Sequence, residues 1–215
     1  DHEVQGGSVV KPLVRVGRDV PSDAAVIRPV LASPRGLAFS QALQPAYSAI
    51  DAYHMTANAI DEALRRVLAV GGDLEHVGGV DNFCWPTIQY DPVKNPDGRF
   101  KAAQLVRACR ALRETCLNYG IPLLSGKDSM YVDGHLPGRY GVTHKISAPE
   151  SMQLAAISVV SDVGRCTTLD VKVPGDAVDV LVVDLQQPPA ADALHQLDTA
   201  LQRVAAEDGG AGGRA

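Results

Sequence analysis

Residues 100–129 read FKAAQLVRACRALRETCLNYGIPLLSGKDS and combine a helical pattern with a short apolar run. Apolar residues recur every three or four positions over 100–119, which predicts an α-helix with one buried stripe. Gly120 follows, at the position where helices commonly end on a glycine. The run 121–124 is typical of a strand, so the helix is predicted to lead directly into a strand. The predicted stripe consists of Ala102, Leu105, Cys109, Leu112 and Cys116.

A polar turn is predicted where this strand ends. Gly126 would let the backbone approach a ligand closely. The next residues, Lys127, Asp128 and Ser129, offer a cation, a carboxylate of the kind that binds metal ions, and a hydroxyl. This combination favours phosphate and magnesium chemistry, although the spacing does not match the P-loop motif. An ordinary surface turn fits the same residues, because Asp and Ser are common turn residues.

A further strand is predicted over 76–84, so strand, helix and strand form a βαβ-like unit. In α/β proteins, ligands collect at the carboxyl ends of parallel strands. If the two strands are parallel neighbours, Asp81 and Asn82 would therefore lie near the predicted turn.

An earlier helix is predicted from Asp51 to the glycine pair at 71–72. It carries Glu62, which could hold magnesium together with Asp81 and Asp128. The alternative is that Glu62 forms an ion pair with Arg66, four residues later on the same helix.

The remaining pattern predicts short strands and one more helix. The strands are predicted over 23–30, 36–40, 153–160, 167–173 and 178–185. Leucines and a valine at helical spacing over 194–204 predict the last helix. The chain is thus predicted to have an α/β (α+β) fold, with a mixed sheet and helices packed on it.

We expect four segments along the chain. They are an irregular N-terminal segment, 1–22; a partial nucleotide-binding domain, 23–165; the start of a second small domain with a divergent helix, 166–207; and a flexible tail, 208–215.

Composition limits the class of protein. The chain has 215 residues, of which 46% are hydrophobic, and a formal net charge of −5. It carries no basic block and no membrane-length apolar run, so we expect neither nucleic-acid nor membrane binding, and a cytoplasmic location. The four cysteines form no C-x-x-C pair, and we expect them to be reduced and mostly buried.

Several motifs in series resemble one enzyme family. They are AIDEALR at 59–65, VGGD at 70–73, DNFCW at 81–85, AQLVRA at 103–108 and LSGKDSM at 124–130. In this order they resemble phosphoribosylformylglycinamidine synthase over about residues 23–185. The region is similar to the second of that family's two repeated nucleotide-binding halves, which share the fold of aminoimidazole ribonucleotide synthetase.

The resemblance implies roles for individual residues. Asp81, Gly126 and Lys127 match ATP-binding positions, and Ser129 matches a position that contacts the substrate or the nucleotide. In the Lys-Asp-Ser form the metal ligand falls at Asp128, whereas relatives with Asn-Val-Ser place it one position earlier. Because lysine does not coordinate magnesium, we expect Asp128 to be the ligand.

The second metal ligand implied by the resemblance is Glu62. Larger members of the family often carry asparagine four residues later, where this chain has Arg66. With arginine at this position, the resemblance does not identify the remaining ligands of this metal ion.

The resemblance also implies a reaction and its partners. The family uses ATP and Mg²⁺ to convert formylglycinamide ribonucleotide to its amidine with ammonia from glutamine, in purine biosynthesis. The first repeated half and the glutaminase domain or subunit would be needed, so we expect no catalysis by this chain alone and assign no catalytic residue. The alternatives are a non-catalytic nucleotide-binding or interaction module, or another kinase or synthetase of the superfamily.

Overall fold

The computed structural model describes residues 6–17 and 19–173. Two α-helices lie in this part of the chain, α1 at Ala52–Ala69 and α2 at Gly98–Tyr119. The strands are β1 at Ser8–Val10, β2 at Leu13–Val14, β3 at Val20–Pro21, β4 at Ala25–Ile27, β5 at Gly36–Leu43, β6 at Val77–Cys84, β7 at Leu123–Ser129, β8 at Asp133–Pro137, β9 at Thr143–Ser147 and β10 at Ser151–Val160. No helix among the described residues is long and apolar enough to cross a membrane.

Six of the strands form one mixed sheet in the order β1, β4, β5, β10, β6, β7. Strand β4 pairs antiparallel with β1 and β5, whereas β6 and β7 are parallel and joined through α2. Two hairpins, β2–β3 and β8–β9, form separate two-stranded sheets. A mixed sheet with helices is therefore confirmed.

Helix α1 begins and ends where the sequence predicts. The Asp51 carboxylate accepts hydrogen bonds from the backbone N–H groups of Tyr53 and His54, at 2.7 and 3.1 Å, which caps the first turn. At the other end, Gly71 has a φ of 98°, a conformation in which other residues are strained. The helix buries an almost continuous apolar surface that includes Met55, Ala59, Ile60, Ala63 and Leu64, all fully buried.

Helix α2 is also confirmed, and it ends on Gly120 with a φ of 68°. Two links to α1 are hydrogen bonds from tyrosines: Tyr53 Oη donates to Glu114 at 2.7 Å, and Tyr119 Oη donates to Asp61 at 2.8 Å. The buried side of α2 is rotated from the predicted stripe. Leu112 and Cys116 are buried, but Cys109 is exposed.

The cysteine prediction was only partly right. All four cysteines are free, as expected. Cys116 alone among them is buried, while Cys84 and Cys166 are half-buried and Cys109 is exposed.

The predicted turn at 126–129 was wrong, because these residues continue strand β7 to Ser129. Their backbone pairs with β6 as far as Cys84, so the ladder holds the segment extended. Gly126 is not among the glycines with positive φ. The glycine at position 126 therefore needs another explanation, which lies in the neighbouring strand β6.

Two further predictions need correction. Residues 167–173 form no strand; Thr168 Oγ1 and the Lys172 ammonium instead bond to Asp170 within the segment. Such local hydrogen bonds compete with strand pairing. The first 22 residues were expected to be irregular, but β1 to β3 lie among them, and Ser8 pairs with Ile27. The predicted strand at 178–185 and helix at 194–204 lie outside the described residues.

The chain divides into two compact units. Of the described residues, one unit contains 6–17, 19–40, Leu64–Val77 and 157–173. The other consists of Gln41–Ala63 and Gly78–Ala156. Every residue predicted for the functional site belongs to this second unit, which also contains α2 and the β8–β9 hairpin.

Candidate functional site

Strands β6 and β7 carry most of the residues predicted for the site, Asp81 and Asn82 on β6 and 126–129 on β7. They are parallel neighbours, and their register pairs Asp81 with Gly126 and Asn82 with Lys127. Farther along, Cys84 pairs with Ser129. The proximity expected from the sequence is confirmed. Because side chains alternate between the two faces of a strand, however, the predicted residues are divided between those faces.

The first face carries Asp81, Gly126 and Asp128. Asp81 is 9% exposed, and its carboxylate lies against Gly126. A Cβ atom at position 126 would stand 2.8 Å from Asp81 Oδ1, closer than a carbon atom can approach without displacing it. Position 126 therefore needs a glycine because a larger side chain would collide with the Asp81 carboxylate. The backbone conformation at 126 does not itself require glycine.

Helix α2 lies on this same face. Burial raises the pKa of Asp81, and the charge of Asp128 raises it further. Partial burial and the charges of Asp128 and Asp81 raise the pKa of the Cys109 thiol. For Cys116, burial together with the Asp81 charge raises the pKa to about 11. The Asp81 carboxylate thus acts on two cysteines that lie about two turns apart on α2, and both thiols remain protonated at neutral pH.

The opposite face of the same two strands carries Asn82, Lys127 and Ser129, and we call it the open face. Its remaining residues are Val80, Cys84 and Ser125. The Lys127 ammonium donates a hydrogen bond to Ser129 Oγ at 2.5 Å. Asn82 Oδ1 is buried and accepts no hydrogen bond. This face therefore presents a cation, a hydroxyl and an amide, a combination suited to an oxyanion.

Glu62 lies on α1 and is engaged there. Gln44, just after β5, donates a hydrogen bond from its amide to Glu62 Oε2. Among the described residues, the carboxylates of Glu62, Asp81 and Asp128 do not form a group of three within 4.8 Å of one another. The structure brings Asp81, Gly126 and Asp128 together, and separately Lys127 and Ser129, but it does not assemble the predicted three-carboxylate metal site.

A polar cluster beside the end of β6 was not predicted. Asn95 is 4% exposed and Lys101 is 8% exposed. The Asn95 amide donates to the carbonyls of Thr87 and Gln89 at 3.0 and 2.7 Å, and its oxygen accepts from Lys101 at 3.1 Å. These bonds hold loop 86–98 in place. The only signal in the sequence was the density of Pro, Asp, Asn and Gly in this loop.

The fully buried indole of Trp85 connects this loop to α2. Its Nε1 donates a hydrogen bond to the Lys101 carbonyl at 3.0 Å. The backbone N–H of Trp85 also bonds to the Ser129 carbonyl at 2.9 Å, immediately after the β6–β7 ladder ends. The carboxyl ends of both strands are thereby fixed by the same residue.

The sequence of this chain is similar to those of known proteins. The chain is 29% identical over 179 residues to the phosphoribosylformylglycinamidine synthase subunit PurL of Thermoplasma acidophilum, which covers 83% of this chain and 21% of the relative. It is 31% identical over 132 residues to the corresponding subunit of Thermoplasma volcanium, covering 61% of this chain and 16% of that subunit. The chain therefore spans about a fifth of the length of these relatives.

Solved structures show the same architecture. Thermotoga maritima PurL complexed with ATP superimposes with a TM-score of 0.52 at 21% identity, over 74% of this chain and 22% of that one. The AMPPCP complex of the same protein gives 0.51 at 21% identity, over 76% and 23%. At this identity the likeness shows the fold alone. The family model described as "AIR synthase related protein, N-terminal domain" matches residues 21–143, more than half of the chain, and the chain belongs to this family.

Proposed function

We propose that this chain forms part of the ATP site of a phosphoribosylformylglycinamidine synthase. The observation that carries the proposal is the extended conformation of β7, held by its pairing with β6, which presents Lys127 and Ser129 together on one face. The similarity to PurL subunits along most of the chain supports the choice of enzyme. A solved structure of one PurL contains ATP, which supports the choice of nucleotide.

Each residue has a proposed task. Lys127 neutralises phosphate charge, and Ser129 donates a hydrogen bond to the formylglycinamide ribonucleotide substrate. Gly126 provides backbone close to the nucleotide, and Asp81 fixes that backbone through its contact with Gly126. Asp128 and Glu62 are given no task in this proposal, because in the part of the chain that the structure describes their carboxylates and that of Asp81 do not form a group that could hold magnesium.

The proposed reaction is an ATP-dependent carbon–nitrogen ligation. ATP would activate the amide oxygen of the substrate, and ammonia from glutamine would then displace phosphate. Such phosphoryl transfer depends mainly on positioning and on cations that stabilise spread negative charge. Lys127 supplies one such cation from this chain.

The proposed site is open on its outer side. Strand β7 lies at the edge of the sheet, and its residues are exposed from Leu123 to Asp128. An edge strand of this kind presents unpaired backbone groups to a partner. We therefore propose that the first repeated half and the glutaminase domain or subunit complete the site, and that this chain alone does not turn over substrate.

Calorimetric titration of ATP into the full chain tests the proposal. We expect saturable binding, and roughly tenfold weaker binding for Lys127→Met, because a hydrogen bond to a charged group is lost. Lys94→Met is the matched control, since Lys94 is exposed in loop 86–98. Equal ATP affinity for wild type and Lys127→Met would remove Lys127 from the site, and absence of ATP binding would overturn the proposed function.

Catalysis requires a separate assay. With ATP, glutamine and formylglycinamide ribonucleotide, the purified chain is expected to release no ADP above the rate without enzyme. Glutamine-dependent ADP release by the purified chain would show that the proposed partners are not needed.

A further inference from the structure

The open face of β6 and β7 contains a cation but no carboxylate. Strand alternation assigns six residues to it: Val80, Asn82, Cys84, Ser125, Lys127 and Ser129. The hydrogen bond between Lys127 and Ser129 confirms that these two side chains share one face. None of the six is an aspartate or glutamate.

The carboxylates of these strands lie on the other face. The contact of Asp81 with Gly126 places the Asp81 carboxylate there, and Phe83, which alternates with it, is 4% exposed. Asp128 is the ladder partner of Phe83, so strand alternation places its side chain on the same side. Adjacent in sequence, Lys127 and Asp128 therefore point to opposite sides of the sheet.

This division conflicts with a shared phosphate and magnesium site. Magnesium in nucleotide sites is held by one or two carboxylates together with phosphate oxygens, so its carboxylate ligands must reach the phosphate. Here the sheet backbone separates Asp81 and Asp128 from Lys127. On α1, Glu62 is hydrogen-bonded to Gln44. The residues present do not fit a magnesium ion beside Lys127.

We propose that the open face binds the phosphate groups of ATP through the Lys127 ammonium, without a divalent cation. The inference rests on the proposed function and specifies how its anionic ligand is held. The ammonium has three protons, of which one is directed to Ser129 Oγ, so two remain for phosphate oxygens. Lys127 thus provides, as a fixed part of the chain, the positive charge that a bound cation would otherwise supply.

Calorimetry with two probes, inorganic tripolyphosphate and ATP, tests this inference on the full chain. Each probe is titrated in EDTA and again in excess Mg²⁺. We expect both to bind in EDTA and to gain no affinity when Mg²⁺ is added, because Mg²⁺ occupies the same phosphate oxygens that the ammonium would contact. In EDTA, Lys127→Met is expected to weaken both probes by roughly tenfold or more, whereas Lys127→Arg, which keeps the charge, retains most of the affinity.

Asp128→Asn separates this inference from the alternative in which Asp128 holds the metal. We expect the same affinity as wild type in both conditions, because its side chain lies on the other face. Circular dichroism and thermal melting confirm that each variant is folded. Lys127 and Asp128 are both exposed, so neither substitution opens a cavity.

The outcomes are distinct. ATP binding that requires Mg²⁺ and is lost in Asp128→Asn overturns the metal-free site but leaves the proposed function intact. Tripolyphosphate binding in EDTA that depends on Lys127 supports the anion site. If ATP then binds with no higher affinity than tripolyphosphate, the site does not recognise the nucleoside, and the proposed ATP function is overturned. If neither probe binds in either condition, both proposals are overturned.

Discussion

The carboxylate of Asp81 on β6 lies against Gly126 on β7, where a Cβ atom would stand 2.8 Å from Asp81 Oδ1. The two residues are direct partners in a parallel ladder. This contact explains why a glycine interrupts an otherwise regular strand. The contact also identifies the face of the sheet on which the Asp81 side chain lies, and strand alternation then assigns a face to each neighbouring residue.

Gly126→Ala is expected to destabilise the chain, because the added methyl group must displace a largely buried carboxylate. The free energy of unfolding should fall by about 1–3 kcal/mol, a typical cost of overpacking. Chemical denaturation measures it. The matched control is Gly134→Ala in β8, because no atom lies within 4 Å of the Cβ built at Gly134. Adding Asp81→Ala to Gly126→Ala should recover part of the loss; equal costs at 126 and 134 would show that the contact does not constrain the strand.

Asp51→Ala is expected to weaken the fold in a pH-dependent way. Burial alone would raise the Asp51 pKa, but hydrogen bonds from the His54 N–H and the Arg107 side chain, with that from Tyr53, outweigh it and lower the pKa below 3.8. A carboxyl with a lowered pKa stabilises the fold above its unfolded value, and this stability is lost as pH falls through the folded value. At pH 7 the substitution should cost about 1 kcal/mol, as loss of an N-cap does.

Urea denaturation across pH 2 to 7 measures the Asp51 effect. The difference between wild type and Asp51→Ala should shrink below pH 4, where the capping carboxylate becomes protonated. Asp23→Ala serves as the comparison, since Asp23 caps no helix. A difference that stays constant down to pH 2 would show that the charge of Asp51 has no part in the effect.

Asn95→Ala is expected to loosen loop 86–98. The substitution removes donors to the carbonyls of Thr87 and Gln89 and an acceptor from the largely buried Lys101. Buried polar groups left without partners cost about 1–3 kcal/mol each. Limited proteolysis should cut this loop faster than in wild type, and Asn118→Ala on the exposed side of α2 should behave as wild type. Unchanged cleavage in Asn95→Ala would mean that the cluster does not hold the loop.

Both helices could be predicted from the sequence because their ends carry strong local signals. Asp51 caps α1, and Gly120 adopts the left-handed conformation that ends α2. The parallel pairing of β6 and β7 could be anticipated from the intervening helix. These features depend on residues close together in the chain, where helix capping and periodicity act.

The division of the site could not be predicted in the same way. Gly126 to Ser129 resembles a turn in composition, and a turn has no alternating faces. Only the ladder with β6 shows that the segment is extended and that Lys127 and Asp128 diverge. The Asn95 and Lys101 cluster was missed for a related reason, since their partners are backbone carbonyls and a buried amide whose positions no sequence pattern shows.

Hydrogen–deuterium exchange with mass spectrometry, with and without ATP, tests most directly whether this part of the chain binds nucleotide. We expect ATP to slow exchange in the peptides that cover β6 and β7, Val77–Cys84 and Leu123–Ser129, with Lys127→Met greatly reducing the effect. The exposed β8–β9 hairpin should be unaffected and serves as an internal reference. Protection confined to segments other than β6 and β7, or no protection at saturating ATP, would contradict the account.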